Sequence, residues 1–463
     1  MKRMTGPILR LLLLVLVLGP SAGAQQPFEE DGSSLKWGFE VKADWRDSDS
    51  ARFESPFPFS PAMIPLGQDA VFQETVDAGS HAEVAVVTLF LDSRWRDNWA
   101  AKVKLDLIDL HDRNPTSEDN ELDLDEAWIR WGQETEPGRI PEELAFYVKI
   151  GKFAKFERQD DRHLESYGLL STAFNRFEDA GVEVGVDLHR RLYLRFSFTQ
   201  GNPLFFRDPN ALAGDNGTSA FLRPNPDPEL QSGFPIFYDA DIEDLDFSHP
   251  ESGFGIGLRL GQDTGFAVFD LLFWRYERTL ADTVDLTGSF YGGDLDLLLG
   301  PLSSGGVAFR PSFSLAVTDD DKVEVGANVC GYVGSFTFFG QYVDQDLAGM
   351  SRKGWETELS WSFDLPFLGS AFGRQLFPYV QPAFRYSTME HDFPGADPQL
   401  FQYPSPSVRW DWDKIDVGVR LGIIESLLDL TVEWNLNDFI VRGETEEADE
   451  LLATVRWRMD WRR

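Results

Sequence analysis

The 463-residue chain predicts an all-β fold, a transmembrane antiparallel β-barrel of 16 to 18 strands with long outside loops and short periplasmic turns. Three observations predict it. Apolar and polar side chains alternate in segments of about ten residues, an export signal precedes these segments, and no apolar stretch of about 18 residues follows the signal. Such a chain is either soluble outside the cytoplasm or a membrane barrel, and the long alternating segments favour the barrel.

The composition excludes several classes of protein. The chain has 42 Lys and Arg against 77 Asp and Glu, which argues against a nucleic-acid partner because phosphate backbones require clustered cations. Aromatic residues make up 14%, with 40 Gly and only 6 Met, which favours sheet over a helix bundle. Cys330 is the one cysteine, so neither an internal disulfide nor a thiolate zinc site is available, and no cofactor is expected.

The N-terminus has the pattern of an export signal. Three cations precede the apolar run 11–18, and the small residues at 22–24 form a cleavage site after Ala24. We therefore predict a signal peptide over 1–24, a barrel over 25–463 and a location in the bacterial outer membrane.

The remainder of the chain alternates with a period of two. In the first segment Trp37 and Trp45 fall on one apolar face, while Lys36 and Glu40 fall on the other, because successive side chains of a strand point to opposite sides. Eighteen segments repeat this pattern, although weak alternation in some of them leaves sixteen as an alternative count. The predicted strands lie near 35–46, 81–92, 99–110, 122–132, 144–153, 179–188, 192–200, 252–261, 266–277, 288–299, 307–318, 322–332, 335–344, 354–365, 376–387, 413–424, 427–441 and 451–461.

The lengths of the connections alternate as well. With a periplasmic N-terminus, the long connections 47–80, 154–178, 201–251 and 388–412 all follow odd-numbered strands. Short connections follow even-numbered strands, which is the parity of outer-membrane barrels. A tight turn at 319–321 is an exception, because it falls where an outside loop is expected.

The polar faces of the predicted strands carry cations and acids in nearly equal number. A lumen of both signs suits a water-filled channel for small hydrophilic solutes. The acidic excess therefore falls in loops, where it faces solvent or the divalent ions that bridge lipopolysaccharide. Outer-membrane lipid and lipopolysaccharide are thus expected partners.

Four short stretches carry a resemblance to a known family. Residues 125–131 (DEAWIRW), 148–153 (VKIGKF), 178–185 (EDAGVEVG) and 198–202 (FTQGN) resemble the phosphate-selective porin O/P family of bacterial outer membranes. The match covers about 122–202. The resemblance implies a trimeric general or anion-selective porin whose third outside loop folds into the pore and narrows it.

The third outside loop is 154–178 on this strand count, so the resemblance assigns the constriction to it. An anion-selective pore needs cations that replace the lost hydration of the anion. The loop also contains acids, among them Glu157 and Glu165, so pairing of these charges with one another is the alternative interpretation. The candidate constriction residues are Lys152, Lys155, Arg158, Arg162 and Arg176.

Other chemistry is weakly indicated. His163 and Ser166 are the best candidates for a base and a nucleophile, but the sequence places no Ser and His together on a strand wall, so no enzyme is expected. Asp239, Asp241 and Glu243 are weak metal candidates without the glycine or spacing of a calcium loop. We predict passive diffusion of small hydrophilic solutes or ions, including anions such as phosphate. The alternative is a non-conducting outer-membrane receptor or structural barrel that binds a partner through its acidic loops.

Overall fold

The computed structural model describes part of the chain in detail. The described residues are 33–49, 51–54, 72–76, 78–96, 98–109, 123–135, 138–157, 162–174, 178–201, 247–261, 267–279, 289–290, 293–294, 321–347, 349–392, 411–441 and 444–462. The predicted signal peptide 1–24 lies outside them.

Sixteen long strands form the sheet. In chain order, β1 to β8 are Ser34–Ser48, Gly79–Trp95, Trp99–Asp109, Asp123–Gly132, Phe146–Ala154, Glu178–His189, Leu192–Thr199 and Glu251–Gly261. β9 to β16 are Ala267–Thr279, Asp321–Val333, Phe336–Leu347, Met350–Trp361, Tyr379–Asp392, Trp412–Ile424, Leu428–Val441 and Glu450–Arg462. The helix α1, Leu169–Ala173, lies between β5 and β6.

Short segments accompany the long strands. Phe363–Asp364 continues the pairing of β12 with β13, and Glu444–Glu447 forms a hairpin with the end of β15. Three further short pairs lie in connections: Ala51–Glu54 with Phe72–Val76, Ser289–Phe290 with Gly293–Asp294, and Ser370–Ala371 with Arg374–Gln375.

The sheet closes on itself. Each long strand pairs antiparallel with the next along the chain, and β1 also pairs with β16 from Lys36↔Arg462 to Ser48↔Glu450. At this seam the rings of Trp37 and Trp461 stack with centroids 4.4 Å apart. Closure leaves no unpaired edge. The predicted fold class, a transmembrane antiparallel barrel of 16 to 18 strands, is confirmed at sixteen.

The count of eighteen is corrected by the pairing of β9 with β10. Their register runs without a break from Ala267↔Val333 to Thr279↔Asp321, so no strand lies between them in the wall. The predicted strand 307–318 lies outside the described residues, as does most of 288–299. Of the exceptional turn at 319–321, Asp321 is the first residue of β10, and 319–320 lie outside the described residues in the long connection 280–320.

Connections differ between the two ends of the barrel. One end, here the turn end, has short connections such as 96–98, 190–191 and 334–335. The other, the loop end, has the long connections, including 155–177. Two connections at the turn end are longer than the sequence parity predicts, namely 133–145 and 362–378.

The two faces of the wall differ in polarity. Apolar side chains point outward, and large ones such as Trp131, Ile150 and Phe273 are about half exposed. Tryptophans gather on this face near the turn end, where Trp95 pairs with Trp99 in register. An apolar band with an aromatic girdle is the lipid-facing surface of a membrane barrel. The inward face carries the charged residues that the alternation predicted, and they are mostly buried.

A chain can also cross a membrane with an apolar helix. Within the described part of the chain, no helix has the length and hydropathy that crossing a bilayer requires.

Candidate functional site

The connection between β5 and β6 folds into the barrel. Its described residues, 155–157 and 162–174, contact the inward faces of β8 and β9 on one side of the lumen and of β12 and β14 on the other. Here it is called the lumen loop. Two charged anchors, a row of glycines and a small apolar cluster hold it in place.

The first anchor joins the lumen loop to β8 and β10. Lys155 Nζ donates to one carboxylate oxygen of Glu251, and Lys322 Nζ lies 2.8 Å from the other. Glu157 accepts a hydrogen bond from the hydroxyl of Tyr276, and its backbone carbonyl accepts one from Asn328. All these side chains are at least nine-tenths buried. The Glu251 carboxylate therefore lies between two buried ammonium groups and pairs with both.

A row of glycines on β8 receives aromatic rings. Gly253, Gly255 and Gly257 are on the inward face, where successive side chains would otherwise fill the lumen. A Cβ on Gly255 would lie 2.8 Å from the ring of Phe156, and one on Gly257 would lie 1.9 Å from the ring of Tyr193. The missing side chains therefore create the space in which Phe156 of the lumen loop packs.

The second anchor lies on the opposite wall, where β1, β14 and β16 each contribute one cation to Glu165. The carboxylate oxygens of Glu165 lie 3.2 Å from Lys42 Nζ, 2.8 Å from Arg420 Nη2 and 2.7 Å from Arg456 Nη2. Only 4% of the Glu165 side chain is exposed. One buried carboxylate therefore pairs with three wall cations and offsets part of their charge.

Wall carboxylates also bind the backbone of the lumen loop. Glu358 on β12 accepts the backbone N–H of His163 at 2.8 Å, and Glu433 on β15 accepts that of Ser166 at 3.1 Å. Arg385 on β13 donates to the Ser166 carbonyl at 2.7 Å. Charge-assisted bonds of this kind fix a loop more firmly than neutral ones do.

The helix α1 supplies the apolar part of the contact. Leu170 and Phe174 are fully buried, and both lie against Gly354 of β12, where a Cβ would be 3.0 Å from Leu170. Arg352 places its guanidinium 4.8 Å from the Phe174 ring centroid. These contacts hold the end of the lumen loop against β12 and β13.

The ion pairs shift the acidity of the anchoring groups. Burial by itself raises the pKa of Glu165, but the charges of Lys42, Arg456 and Arg420 outweigh burial and hold that pKa below its ordinary value. Burial alone lowers the pKa of Lys155, and the charge of Glu251 reverses this, so that the pKa lies above its ordinary value. Both groups are therefore ionised at neutral pH.

The five cations predicted for the constriction do not lie together in the structure. Lys155 is buried in the first anchor, and Arg162 lies 3.9 Å from Glu356. Lys152 shares the outward face of β5 with Ile150 and donates to the Leu124 carbonyl at 2.6 Å, so we remove it from the candidate constriction. Arg158 and Arg176 lie outside the described residues.

A cavity of about 920 Å³ lies between the lumen loop and the turn end of the barrel. Eight cationic and four acidic side chains line it, so it is richer in cations than the nearly neutral wall predicted from the sequence. The cations are Arg94, Arg96, Lys102, Arg130, Lys149, Lys155, Arg195 and Arg259, and the acids are Glu126, Glu134, Glu183 and Asp270. This cavity is here called the turn-side chamber.

Arg195 differs from the other buried cations of the chamber. Lys149 lies 3.1 Å from Glu183, and Arg259 lies 3.1 Å from Asp187. Arg195 instead donates to the Leu194 carbonyl and places its guanidinium over the ring of Tyr193, at 4.6 Å from the centroid. Within the described residues no carboxylate forms an ion pair with it. Arg195 therefore lines the chamber as a cation without a carboxylate at ion-pair distance among the described residues.

The candidates for other chemistry have structural partners. The ring of His163 lies 3.0 Å from Glu358, and the hydroxyl of Ser166 accepts a hydrogen bond from Arg385 at 2.7 Å. A guanidinium that donates a hydrogen bond to the serine oxygen cannot take the hydroxyl proton as a base. Asp239, Asp241 and Glu243 lie outside the described residues.

Among the described residues, one cluster of three carboxylates is close enough together to hold a metal ion, with ligand atoms within 4.8 Å of one another. It consists of Asp125, Glu126 and Glu178. Lys104 and Lys102 pair with Asp125 and Glu126, so the cations already present compensate two of the three carboxylates.

Comparison with known proteins gives structural similarity only. No family model matches the chain, and no curated protein matches it. The resemblance to the phosphate-selective porin O/P family therefore stays a prediction. Among solved structures, the outer membrane channel DcaP of Acinetobacter baumannii is similar with 10% identity and a TM-score of 0.47, covering 92% of this chain and 98% of that one.

Two further solved structures have similar values. OprB of Pseudomonas putida has 12% identity and a TM-score of 0.43 over 93% of this chain and 94% of that one. OmpT, an outer membrane protein of Vibrio cholerae, has 9% identity and a TM-score of 0.44 over 94% and 100% of the two chains. Identity this low transfers no function.

Sequence reasoning missed the partners of the lumen loop. The spacing of Gly253, Gly255 and Gly257 is visible as G-x-G-x-G, but we interpreted it only as alternation. Glycine at three successive inward-facing positions of a strand indicates that an aromatic side chain from another segment packs against it. The pairing of Glu165 with cations far away along the chain has no local signal.

Proposed function

We propose that this protein is an outer-membrane porin through which small hydrophilic solutes diffuse passively. The observation that carries the proposal is the closed sixteen-stranded barrel, apolar outside and charged inside, with a loop folded across its lumen. A barrel of this size leaves an aqueous passage, and a loop inside it limits the size of the solutes that pass. The lumen loop, predicted as 154–178, would be the constriction.

A preference for anions is the finer part of this proposal. Its support is the turn-side chamber, where cations outnumber acids and Arg195 has donors that no carboxylate occupies. Such donors replace water around an anion that enters. Lys155, in contrast, is compensated by Glu251, so its role is to hold the lumen loop rather than to attract solute.

Planar-bilayer recording tests both parts. We expect stable single-channel steps from the refolded protein and a reversal potential in a KCl gradient that favours chloride. Arg195→Gln should reduce the chloride preference. The matched control is Arg275→Gln, because Arg275 lies on the outward face with 52% of its side chain exposed and pairs with Glu277.

The outcomes separate the alternatives. Equal reversal potentials for wild type and Arg195→Gln would contradict the anion preference and leave a general porin. A folded barrel that carries no current would contradict the channel itself. The non-conducting receptor or structural barrel would then be the better explanation.

The proposal includes export and assembly. Residues 1–24 would direct secretion and be removed, and three copies would assemble in the outer membrane, as the family resemblance implies. The N-terminal sequence of protein purified from membranes tests the cleavage after Ala24. Chemical crosslinking in detergent tests the trimer, and a single monomer band at all crosslinker concentrations would contradict it.

A further inference from the structure

The connection between β4 and β5 folds inward at the turn end. It spans 133–145, of which the structure describes 133–135 and 138–145, whereas the neighbouring turns 96–98 and 190–191 have only two or three residues. Thr135 donates to Asp187 of β6 at 3.1 Å, and Arg190 Nε donates to the carbonyl of Pro141 at 2.6 Å. Ile140 is 9% exposed. This connection, here called the turn-side arch, is therefore attached to the β6 to β7 end of the wall.

The tip of the arch reaches a distant strand. A Cβ on Gly138 would lie 2.9 Å from Cδ2 and 3.0 Å from Cγ of Tyr332, so the ring of Tyr332 rests against the glycine backbone. Tyr332 is on β10, five strands beyond β5 in the ring. At ~4.8 Å between neighbouring strands, the arch spans roughly 24 Å of wall. Gly138 has φ +71°, a left-handed conformation that favours glycine.

The arch also borders the turn-side chamber. Gln133, Glu134 and Thr135 of the arch line the cavity, and Tyr332 lines it from the opposite side. Lys155 and Phe156 of the lumen loop line it as well. The chamber thus has an inward-folded segment at each end, although the sequence predicted only the lumen loop.

We propose that the turn-side arch and Tyr332 form a second constriction, which selects solutes by size at the turn end. This inference rests on the proposed porin function. A solute that passes the lumen loop enters the chamber and must then pass beside the arch. The size limit at the turn end would then not depend on the ion pairs that hold the lumen loop.

Polymer exclusion measured from each side of a bilayer tests this constriction. Polyethylene glycols that enter a pore lower its conductance, so the largest polymer that does so reports the width of the entrance it meets. Tyr332→Ala should raise single-channel conductance ~1.5-fold and admit larger polymers added at the turn end. The limit measured from the loop end should not change, because the lumen loop still sets it.

Arg190→Ala distinguishes a constriction formed by the arch from one formed by the Tyr332 ring alone. It removes the donor to Pro141 and leaves the ring in place, so a wider limit from the turn end would support the arch as the filter. An unchanged limit for Arg190→Ala beside a wider one for Tyr332→Ala would overturn the proposal, since the ring alone would then narrow the pore. Unchanged limits for both variants would also overturn it.

Two controls complete the experiment. Phe372→Ala alters an aromatic residue on another turn-end connection, where the side chain is 86% exposed and outside the chamber lining, so no change is expected. Heat-modifiable migration on gels verifies that each variant folds. If the wild type carries no current, the porin function fails first, whereas a conducting wild type with unaltered variants contradicts the arch alone.

Discussion

Glu165 lies among three cations of the barrel wall. Its carboxylate pairs with Lys42, Arg420 and Arg456, which lie on three different strands. Glu165→Gln removes the negative charge and keeps the shape, so these cations would face the passage. We expect the ratio of chloride to potassium permeability to rise roughly twofold, measured as a reversal potential in a KCl gradient.

The same substitution tests the second anchor. Removing one partner of a buried ionic cluster costs about 3–5 kcal/mol, so the unfolding free energy should fall by an amount of this order. Glu390→Gln is the control, since Glu390 pairs with Lys353 outside the lumen and 54% of its side chain is exposed. A reversal potential that moves equally in both variants would contradict the role given to Glu165.

Acid should release the second anchor only at low pH. The pKa of Glu165 is lower in the folded protein than the ordinary value of ~4.3 in the unfolded chain. Its ionised form therefore stabilises the loop fully above that value, and this stabilisation disappears as pH falls through the folded pKa. We expect constant single-channel conductance from pH 7 to about 5 and a transition in strongly acidic solution. The transition should be absent in Glu165→Gln, and an identical transition there would assign it to other groups.

At the scale of elements, the glycine row on β8 determines where the lumen loop lies. Gly255→Leu would place a side chain where Phe156 packs, since a Cβ there already lies 2.8 Å from that ring. Overpacking costs about 1–3 kcal/mol, and the displaced loop should make the open-channel current noisier. Urea unfolding and single-channel recording measure the two effects.

Ser252→Leu provides the comparison on the same strand. Ser252 is exposed on the outward face, so the added side chain meets lipid and the loop remains in place. Current noise that rises as much in this variant would show that β8 tolerates no added bulk on either face. The glycine row would then have no special relation to the loop.

At the scale of the whole molecule, closure of the ring joins the two ends of the described chain. Deleting 450–462 would leave β1 and β15 with unpaired edges in the lipid bilayer, whose hydrocarbon offers no hydrogen-bond partners. We expect no heat-modifiable band and little β-sheet circular dichroism from this variant. Trp461→Ala should keep the fold and lose the ring contacts with Trp37 and Phe39, about 0.5–1.5 kcal/mol, together with the apolar area that the indole buries.

The contrast between these variants is the test. Trp461→Ala leaves the backbone pairing of β16 with β1 and β15 in place, whereas the deletion removes it. A folded, heat-modifiable protein without 450–462 would mean that the ring closes by a different pairing. It would contradict the sixteen-stranded closure.

The sequence by itself determined the barrel and the approximate bounds of most strands. These features are readable because the period of two is local: Trp37 and Lys36 fall on opposite faces whatever else the chain does. The resemblance to a known family added the expectation of a constriction at 154–178. Lys152 shows that residue type alone does not identify a pore-lining cation. Its place on the outward face follows from its position in the strand and not from its charge.

Only the tertiary structure decided the number of strands and the chemistry of the lumen. The pairing of β9 with β10 excludes two predicted strands, and local alternation does not reveal which strands become neighbours across a long connection. Glu165 meets its cations, Phe156 its glycines and Gly138 the ring of Tyr332 across the lumen. Such contacts arise when the ring closes, because closure brings together residues that no sequence period relates.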